Sequence, residues 1–219
     1  MPRNGLNPRL LLGLVVLVVI AGGVALLTVG GSSGSQGTTR TAKAAGSVHY
    51  KAEALLSPPA QAPPIELRNY LGEPVNLSSY RGKAVLVTFL YTNCPDVCPL
   101  ITSQLRVAQN LMGTKVASKA QIIAVSVDPK GDTKKAVASF LARHEMTGRM
   151  KYLIGNAHEL AQVWKAWGVG SERDAEQPQF INHSGLIYGI TGSGKRTTVY
   201  SASFRPATVA HDVPLLAAN

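Results

Sequence analysis

The amino-acid sequence predicts a three-layer α/β sandwich that follows one N-terminal transmembrane helix. Three observations support this fold class: a long uncharged apolar stretch near the N-terminus, two short apolar stretches typical of buried strands, and helical patterns around them. A chain of 219 residues is long enough for one domain of ordinary size and a tail. A second full domain is not expected.

The N-terminal apolar stretch, residues 10–29, contains no charged residue. As a helix it is long enough to cross a hydrocarbon core of about 30 Å. A cleaved signal peptide is the alternative, but its apolar core is normally only about 7–15 residues long and ends at small residues. We therefore predict an uncleaved transmembrane anchor.

The charges that flank this stretch predict its orientation. Arg3 and Arg9 precede it, and positive charge favours the cytoplasmic side. Residues 1–9 are thus expected in the cytoplasm. The chain is predicted to be a single-pass inner-membrane protein whose residues after the anchor lie on the extracytoplasmic, periplasmic side. Residues 30–46 are rich in Gly, Ser and Thr, a composition typical of flexible linkers. The folded domain is predicted at residues 47–219, in an oxidising compartment where a cysteine pair tends to form a disulfide.

The charge of the chain is +10, from 22 Lys and Arg against 12 Asp and Glu. The bases form no run of five or more, and they do not alternate with aromatic residues as in proteins that bind single-stranded nucleic acid. Nucleic-acid binding is therefore not expected. The charge favours a soluble basic surface that suits an acidic protein partner.

The strands of the first half are predicted from alternating and continuous apolar patterns. After a Pro-rich segment, residues 65–70 alternate like a strand, and residues 72–83 are turn-rich. The apolar, β-branched stretches 84–91 and 121–127 are predicted as buried central strands. A shorter strand is expected at residues 151–155.

Three helices follow from apolar stripes and capping patterns. Residues 100–112 have the helical spacing of apolar residues. The expected buried stripe consists of Leu100, Ile101, Leu105, Ala108 and either Leu111 or Met112. Asp132 is the predicted N-cap of a helix over residues 134–146. Asn156 and Glu159 have the form of a capping box, which opens a helix ending near residue 167.

The C-terminal part is predicted as a hairpin and a last helix. Residues 180–191 and 197–204 form the two strands of the hairpin, and residues 205–218 the helix, which Pro214 should kink or end. Strands alternating with helices, followed by a hairpin and a helix, suggest a sandwich of the thioredoxin type.

The chain has only two cysteines, Cys94 and Cys98, in the stretch "TNCPDVCP". They lie between a predicted buried strand and the first turn of a helix, where the helix N-terminus lowers thiol pKa values. A separation of one helical turn suits a disulfide or one shared metal ion. Pro95 and Pro99 are tolerated there because early helical N–H groups lack intrahelical partners.

Several roles are open to this cysteine pair. Buried inert cysteines are the plain alternative. Zinc is not favoured, because structural zinc sites normally have four ligands and no third cysteine exists. Two thiolates and one imidazole suit Cu(I), and such a set is also compatible with Cu(II).

An imidazole ligand would come from one of five histidines. His49 lies beside the linker, His158 and His211 lie among polar positions of predicted helices, and His144 follows apolar residues of another helix. His183 lies in the stretch "FINHSGLIY", which a thioredoxin-like sheet would bring close to the cysteines. On spacing alone, a lone histidine is more often structural, so its role stays open at this point.

Three stretches in order, "YTNCPDVCP", "SVDPKGDT" and "NHSGLIY", resemble the Sco/SenC family of membrane-anchored copper proteins. The likeness runs from about Pro63 to the C-terminus. It implies a thioredoxin-like fold and copper, as Cu(I) or Cu(II), bound by Cys94, Cys98 and His183. It also implies loading of the dinuclear copper centre (CuA) in subunit II of cytochrome c oxidase, with other copper chaperones or thiol reductases as further partners.

The matched stretches also contain three aspartates with plain structural interpretations. Asp96 is expected to accept hydrogen bonds at a helix start, Asp128 to form a turn with Pro129, and Asp132 to cap a helix. Asp96 lies between the cysteines, so it is also a candidate for tuning thiolate basicity.

Two functions of different classes are therefore predicted. The first is a copper metallochaperone, which turns over no substrate. The alternative is an extracytoplasmic thiol-disulfide oxidoreductase that uses Cys94 and Cys98 as its redox pair. Against the alternative, oxidoreductases of this fold usually have two residues between the cysteines, whereas this chain has three. A copper or redox sensor would leave no separate mark in the sequence.

Overall fold

The structure, a computed structural model, describes residues 49–173, 175–176 and 181–219. Its helices are α1 (Val97–Ala117), α2 (Lys134–Arg143), α3 (Ala157–Trp167) and α4 (Pro206–Ala218), with a 3₁₀ turn at Leu77–Tyr80. The strands are β1 (Ala54–Gln61), β2 (Glu66–Asn69), β3 (Pro74–Asn76), β4 (Ala84–Leu90), β5 (Ala120–Ser126), β6 (Met150–Ile154), β7 (Glu172–Arg173), β8 (Ile181–Asn182), β9 (Ile187–Ile190) and β10 (Lys195–Tyr200).

The strands form one large mixed sheet in the order β1-β10-β9-β4-β5-β6-β2-β3, while β7 and β8 pair separately. The central strands β4, β5 and β6 are parallel, and the other pairings are antiparallel. All seven residues of β4 are buried. That is expected for a parallel strand covered on both faces, and it explains the continuous apolar pattern.

Helices cover both faces of the sheet. Tyr152 on β6 is in register with Ala124 on β5, so it faces opposite to Phe89 on β4. The ring of Phe140, from α2, packs on Tyr152 at a centroid distance of 6.1 Å. The ring of Trp167, from α3, packs on Phe89 at 5.9 Å. The predicted three-layer α/β architecture is therefore confirmed for the described domain.

Several local predictions are wrong. Thr133, and not Asp132, is the N-cap of α2, because its side chain accepts from the Ala136 N–H. The Asp96 side chain makes no capping hydrogen bond. Pro214 lies inside α4, which continues to Ala218.

Two apolar patterns also differ from the structure. Leu100 of the expected buried stripe is exposed, whereas Ile101, Leu105 and Ala108 are buried as predicted. Of the two alternatives for the last position, Met112 packs against the core and Leu111 is exposed. The strand predicted over residues 180–191 consists of two separate strands, β8 and β9. The capping box of Asn156 and Glu159 is confirmed.

No helix in the described ranges is long and apolar enough to cross a membrane. The predicted anchor at residues 10–29, the preceding residues 1–9 and the linker at residues 30–46 lie outside these ranges.

Candidate metal centre and dithiol

The two cysteines lie where the central strand β4 meets the helix α1. Cys94 is in the connecting loop, and its N–H donates to the Tyr91 carbonyl oxygen at 3.3 Å. Cys98 is in the first turn of α1 and is fully buried, while Cys94 is 7% exposed. Both thiols are free. The more accessible sulfur is therefore that of Cys94.

The two thiols differ in acidity. The hydrogen bond from the Cys98 thiol lowers the pKa of Cys94 to about 6, helped by the backbone N–H groups of Asp96 and Cys98. The Cys98 N–H lies 3.4 Å from the Cys94 sulfur. The same pairing, together with burial, raises the pKa of Cys98. At neutral pH the pair thus holds one thiolate, on Cys94, and one thiol.

A buried carboxylate fixes the start of the cysteine loop. Asp132 accepts from the Thr92 N–H at 2.8 Å, from the Ser126 hydroxyl at 2.6 Å and from the Tyr152 hydroxyl at 2.9 Å. Burial raises the pKa of Asp132, and these hydrogen bonds act in the opposite direction. Because Thr92 is two residues before Cys94, Asp132 ties the loop to β5 and β6.

His183 reaches the cysteines from the end of β8. Its Nε2 lies 3.9 Å from the Cys98 sulfur, and its Nδ1 lies 3.2 Å from the Ser184 carbonyl oxygen. A carbonyl oxygen only accepts, so this contact assigns the proton to Nδ1 and leaves the Nε2 lone pair toward Cys98. Burial lowers the pKa of His183, which keeps the imidazole neutral, the form that binds metals.

Tyr91 connects the cysteine loop to the His183 segment. Its hydroxyl accepts from the Ile181 N–H at 3.3 Å, and its ring meets the His183 ring edge-on at 5.7 Å between centroids. Burial raises the pKa of Tyr91 to about 12. The sequence analysis did not single out Tyr91, because a tyrosine at the end of an apolar strand gives no separate signal.

The donor set fits a soft, thiophilic metal ion. Cys98 contacts both other groups: its amide meets the Cys94 sulfur and its own sulfur meets His183 Nε2. Within the ranges that the structure describes, no three His, Cys, Asp or Glu side chains form a ready-made metal cluster. A bound ion would therefore have to draw the two sulfurs and the imidazole nitrogen closer together.

Three other histidines make different contacts. His144 packs on Phe140, with ring centroids 4.6 Å apart. His158 contacts Gln162, and His211 pairs with Asp212 at 2.8 Å. The ring that meets a cysteine is that of His183.

Comparison with known proteins gives the family. The SCO1/SenC family model matches residues 54–218. The chain belongs to the SCO1/SenC family. The resemblance inferred from the sequence is therefore confirmed.

Three relatives illustrate the match. The bovine mitochondrial SCO2 homolog is 29% identical over 182 residues, 81% of this chain and 68% of that protein. Copper-bound ScoI of Bradyrhizobium japonicum is 28% identical, with a TM-score of 0.62, over 72% of this chain and 99% of the other. BsSco, a member of the Sco family of cytochrome c oxidase assembly proteins with a disulfide switch, is 22% identical, with a TM-score of 0.61, over 76% and 97%. The chain spans about half the length of the human and mouse curated relatives.

Proposed function

We propose that this SCO1/SenC protein carries copper on Cys94, Cys98 and His183 and delivers it for assembly of the CuA centre in subunit II of cytochrome c oxidase. The observation that supports the ligand set best is the 3.9 Å approach of His183 Nε2 to the Cys98 sulfur, with Cys94 in the same loop. The relative ScoI, which binds copper, supports the metal, and the membership of BsSco in the Sco family of cytochrome c oxidase assembly proteins supports the pathway.

The chemistry of the three groups suits a metal that is cargo. Thiolate sulfur and neutral imidazole are preferred ligands of Cu(I), and the same set also accommodates Cu(II). Cys94 is already ionised at neutral pH, whereas Cys98 must release its proton when it binds the ion, since its pKa is raised. Stepwise exchange of these ligands for the thiolates of an acceptor would then pass the ion on.

Copper stoichiometry tests the ligand set. The reduced full-length protein, purified in detergent, should bind about one copper ion, as one Cys₂His site implies. Cys94→Ser or Cys98→Ser should abolish tight binding. His158→Ala is the matched control, because His158 is an exposed residue of α3 whose ring contacts Gln162. An unchanged stoichiometry in either cysteine variant would refute the site.

The location of this activity follows from the predicted anchor. With residues 10–29 in the membrane and residues 1–9 in the cytoplasm, the folded domain would work at the extracytoplasmic surface of the inner membrane. Protease added to intact spheroplasts should remove the domain. Protection of the domain would contradict this orientation.

A second function, thiol-disulfide reduction of partner cysteines, is favoured by the unequal acidity of the two thiols. The Cys94 thiolate would attack a partner disulfide, forming a mixed disulfide and releasing one partner thiolate. Cys98 would then lose its proton to that thiolate and attack Cys94, releasing the second partner sulfur. The partner gains two electrons, and the protein ends with a Cys94–Cys98 disulfide. His183 has no part in these steps, so its removal separates the two functions.

A further inference from the structure

A groove lies beside the cysteine loop, between that loop and α2. Its volume is about 310 Å³. Two of its lining residues, Thr92 and Asn93, directly precede Cys94. The remaining lining residues belong to α2 and its N-cap: Thr133, Lys135, Ala136, Ser139 and Arg143. A molecule in this groove would therefore touch the chain next to the more accessible thiol.

The groove is positively charged. Lys135, Ser139 and Arg143 are spaced four residues apart, so they line one face of α2. Lys135 and Arg143 bring two cations to the groove, and no acidic side chain of the described residues lines it. The N-terminus of α2, ten residues long, adds its partial positive charge at the same end.

A buried hydroxyl in the groove makes only a poorly aligned contact, with the Asp132 carboxylate. Thr92 is 6% exposed, and its Oγ1 makes no hydrogen bond of normal geometry, although Asp132 is close by and takes the Thr92 N–H. Buried hydroxyls are nearly always paired. The Thr92 hydroxyl can therefore exchange its contact with Asp132 for one with a ligand acceptor atom in the groove.

We propose that this groove binds an acidic segment of the protein partner, with a carboxylate held by Lys135, Arg143 and the Thr92 hydroxyl. The inference rests on the proposed function, because it concerns how the acceptor of copper or electrons is placed against Cys94. Charge complementarity identifies the occupant: opposite charges steer association and set the register of a transient complex. In the described part of the chain, no aromatic side chain lines the groove for a nucleic-acid base to stack on.

An exposed leucine completes this docking surface. Leu100 follows Cys98 and Pro99 in the first turn of α1 and is 42% exposed. Along the chain, the Cys94–Cys98 loop is thus preceded by two residues that line the basic groove and followed by an exposed apolar side chain. A partner that docks here is therefore expected to offer an acidic segment to the groove and an apolar side chain to Leu100.

Disulfide exchange with two synthetic peptides tests the docking without copper. Both peptides carry one Cys–Cys disulfide with three intervening residues, flanked by four glutamates in one and four lysines in the other. The reduced full-length protein in detergent is the only reductant. At low salt it should reduce the glutamate peptide about 10-fold faster than the lysine peptide, and added salt should remove most of that preference.

Paired charge reversals locate the effect. Lys135→Glu with Arg143→Glu should lower the preference to about 2-fold or less. The matched control is Lys119→Glu with Lys195→Glu, which makes the same change of charge. These two lysines lie at the starts of β5 and β10, at the strand ends opposite the cysteine loop. This control should keep most of the preference.

The outcomes separate docking from copper binding. An equal loss of preference in both double variants would refute the groove, because total charge alone would then explain the effect. The groove proposal would also be refuted if the wild type is a dimer and the double variant Lys135→Glu, Arg143→Glu is a monomer. The groove would then be a site of self-association. If the wild type prefers the glutamate peptide but binds no copper, the copper proposal fails and the docking surface stands. If copper binds normally without any peptide preference, the docking surface fails alone.

Discussion

The cysteine loop and the His183 segment meet at Cys98, but different kinds of contact hold them. The loop leaves a fully buried parallel strand, is tied by Asp132 at Thr92, and enters α1, where the Thr102 hydroxyl donates to the Cys98 carbonyl at 2.7 Å. His183 follows a two-residue strand that pairs with another two-residue strand. The core therefore positions the thiols, whereas a short strand pair, the Ser184 carbonyl and the Tyr91 side chain position the imidazole.

This difference predicts that changes on the cysteine side affect both folding and metal binding. Asp132→Ala should have the largest effect. It leaves the Thr92 N–H and the hydroxyls of Ser126 and Tyr152 without their acceptor, and each unpaired buried group costs about 1–3 kcal/mol. The free energy of unfolding, measured with urea, should fall by roughly 3 kcal/mol or more.

The matched control for this change is Asp96→Ala. Asp96 is an exposed carboxylate in the cysteine loop that makes no capping hydrogen bond. Its removal should change the free energy of unfolding by less than about 0.5 kcal/mol. Equal effects of the two substitutions would contradict the anchoring role of Asp132.

The acidity of the two thiols predicts a pH-dependent stability of the reduced protein. The pKa of Cys94 is lowered to about 6 by folding, so the unfolded chain binds more protons between about pH 6 and the ordinary thiol pKa. The free energy of unfolding of the wild type, minus that of Cys94→Ser, should therefore rise with pH across that interval. Above it, the raised pKa of Cys98 makes the unfolded chain lose a proton that the native state keeps, so this contribution falls with pH.

Urea unfolding at a series of pH values, under reducing conditions, measures this dependence. The rate at which iodoacetamide alkylates Cys94 should reach half of its maximum near pH 6. A midpoint near the ordinary thiol value would show that the Cys98 contact does not stabilise the Cys94 thiolate.

On the other side of the site, His183→Ala should weaken copper binding by roughly 10-fold or more, because one of three ligands is lost. Disulfide formation between Cys94 and Cys98 should stay largely intact, since dithiol exchange requires only the two sulfurs. Copper affinity and the rate of disulfide formation are measured on the same preparation. If His183→Ala cells load the oxidase normally and Cys94→Ser cells do not, the reductase function replaces copper delivery.

Tyr91→Phe should give the smallest effect. It removes the hydroxyl that accepts from the Ile181 N–H, at a cost of about 1 kcal/mol, but keeps the ring against His183. Copper affinity should fall less than in His183→Ala. A larger fall would mean that the Tyr91 hydroxyl, through the Ile181 N–H or through its contact with Cys94, contributes more to the site than the local contact of His183 with Ser184.

The sequence predicts the cysteine side of the site better than the histidine side, for a physical reason. A buried parallel strand followed by a helix leaves a continuous apolar pattern and a proline-marked helix start, both visible in residues 84–99. His183 lies beside strands only two residues long, which have no detectable period. A thioredoxin-type sheet predicts that His183 lies near the cysteines, but only the family resemblance predicts that it is a ligand.

Asp132 shows a second limit. Asp132 and Thr133 are both good N-cap residues, so the local sequence alone does not choose between them. The choice is made by Ser126 on β5 and Tyr152 on β6, whose hydroxyls draw the Asp132 carboxylate into the core and leave Thr133 to cap α2. Likewise, spacing on α1 does not reveal that Leu100 and Leu111 face solvent while Ile101 is buried.

X-ray absorption of the copper-loaded, reduced full-length protein tests the ligand assignment most directly. The wild type should show two sulfur neighbours and one nitrogen neighbour around copper, as Cys94, Cys98 and His183 would provide. His183→Ala should keep the two sulfurs and lose the nitrogen, while His158→Ala should match the wild type. A nitrogen neighbour that persists in His183→Ala, or a wild-type spectrum with sulfur neighbours alone, would contradict copper carriage by these three side chains.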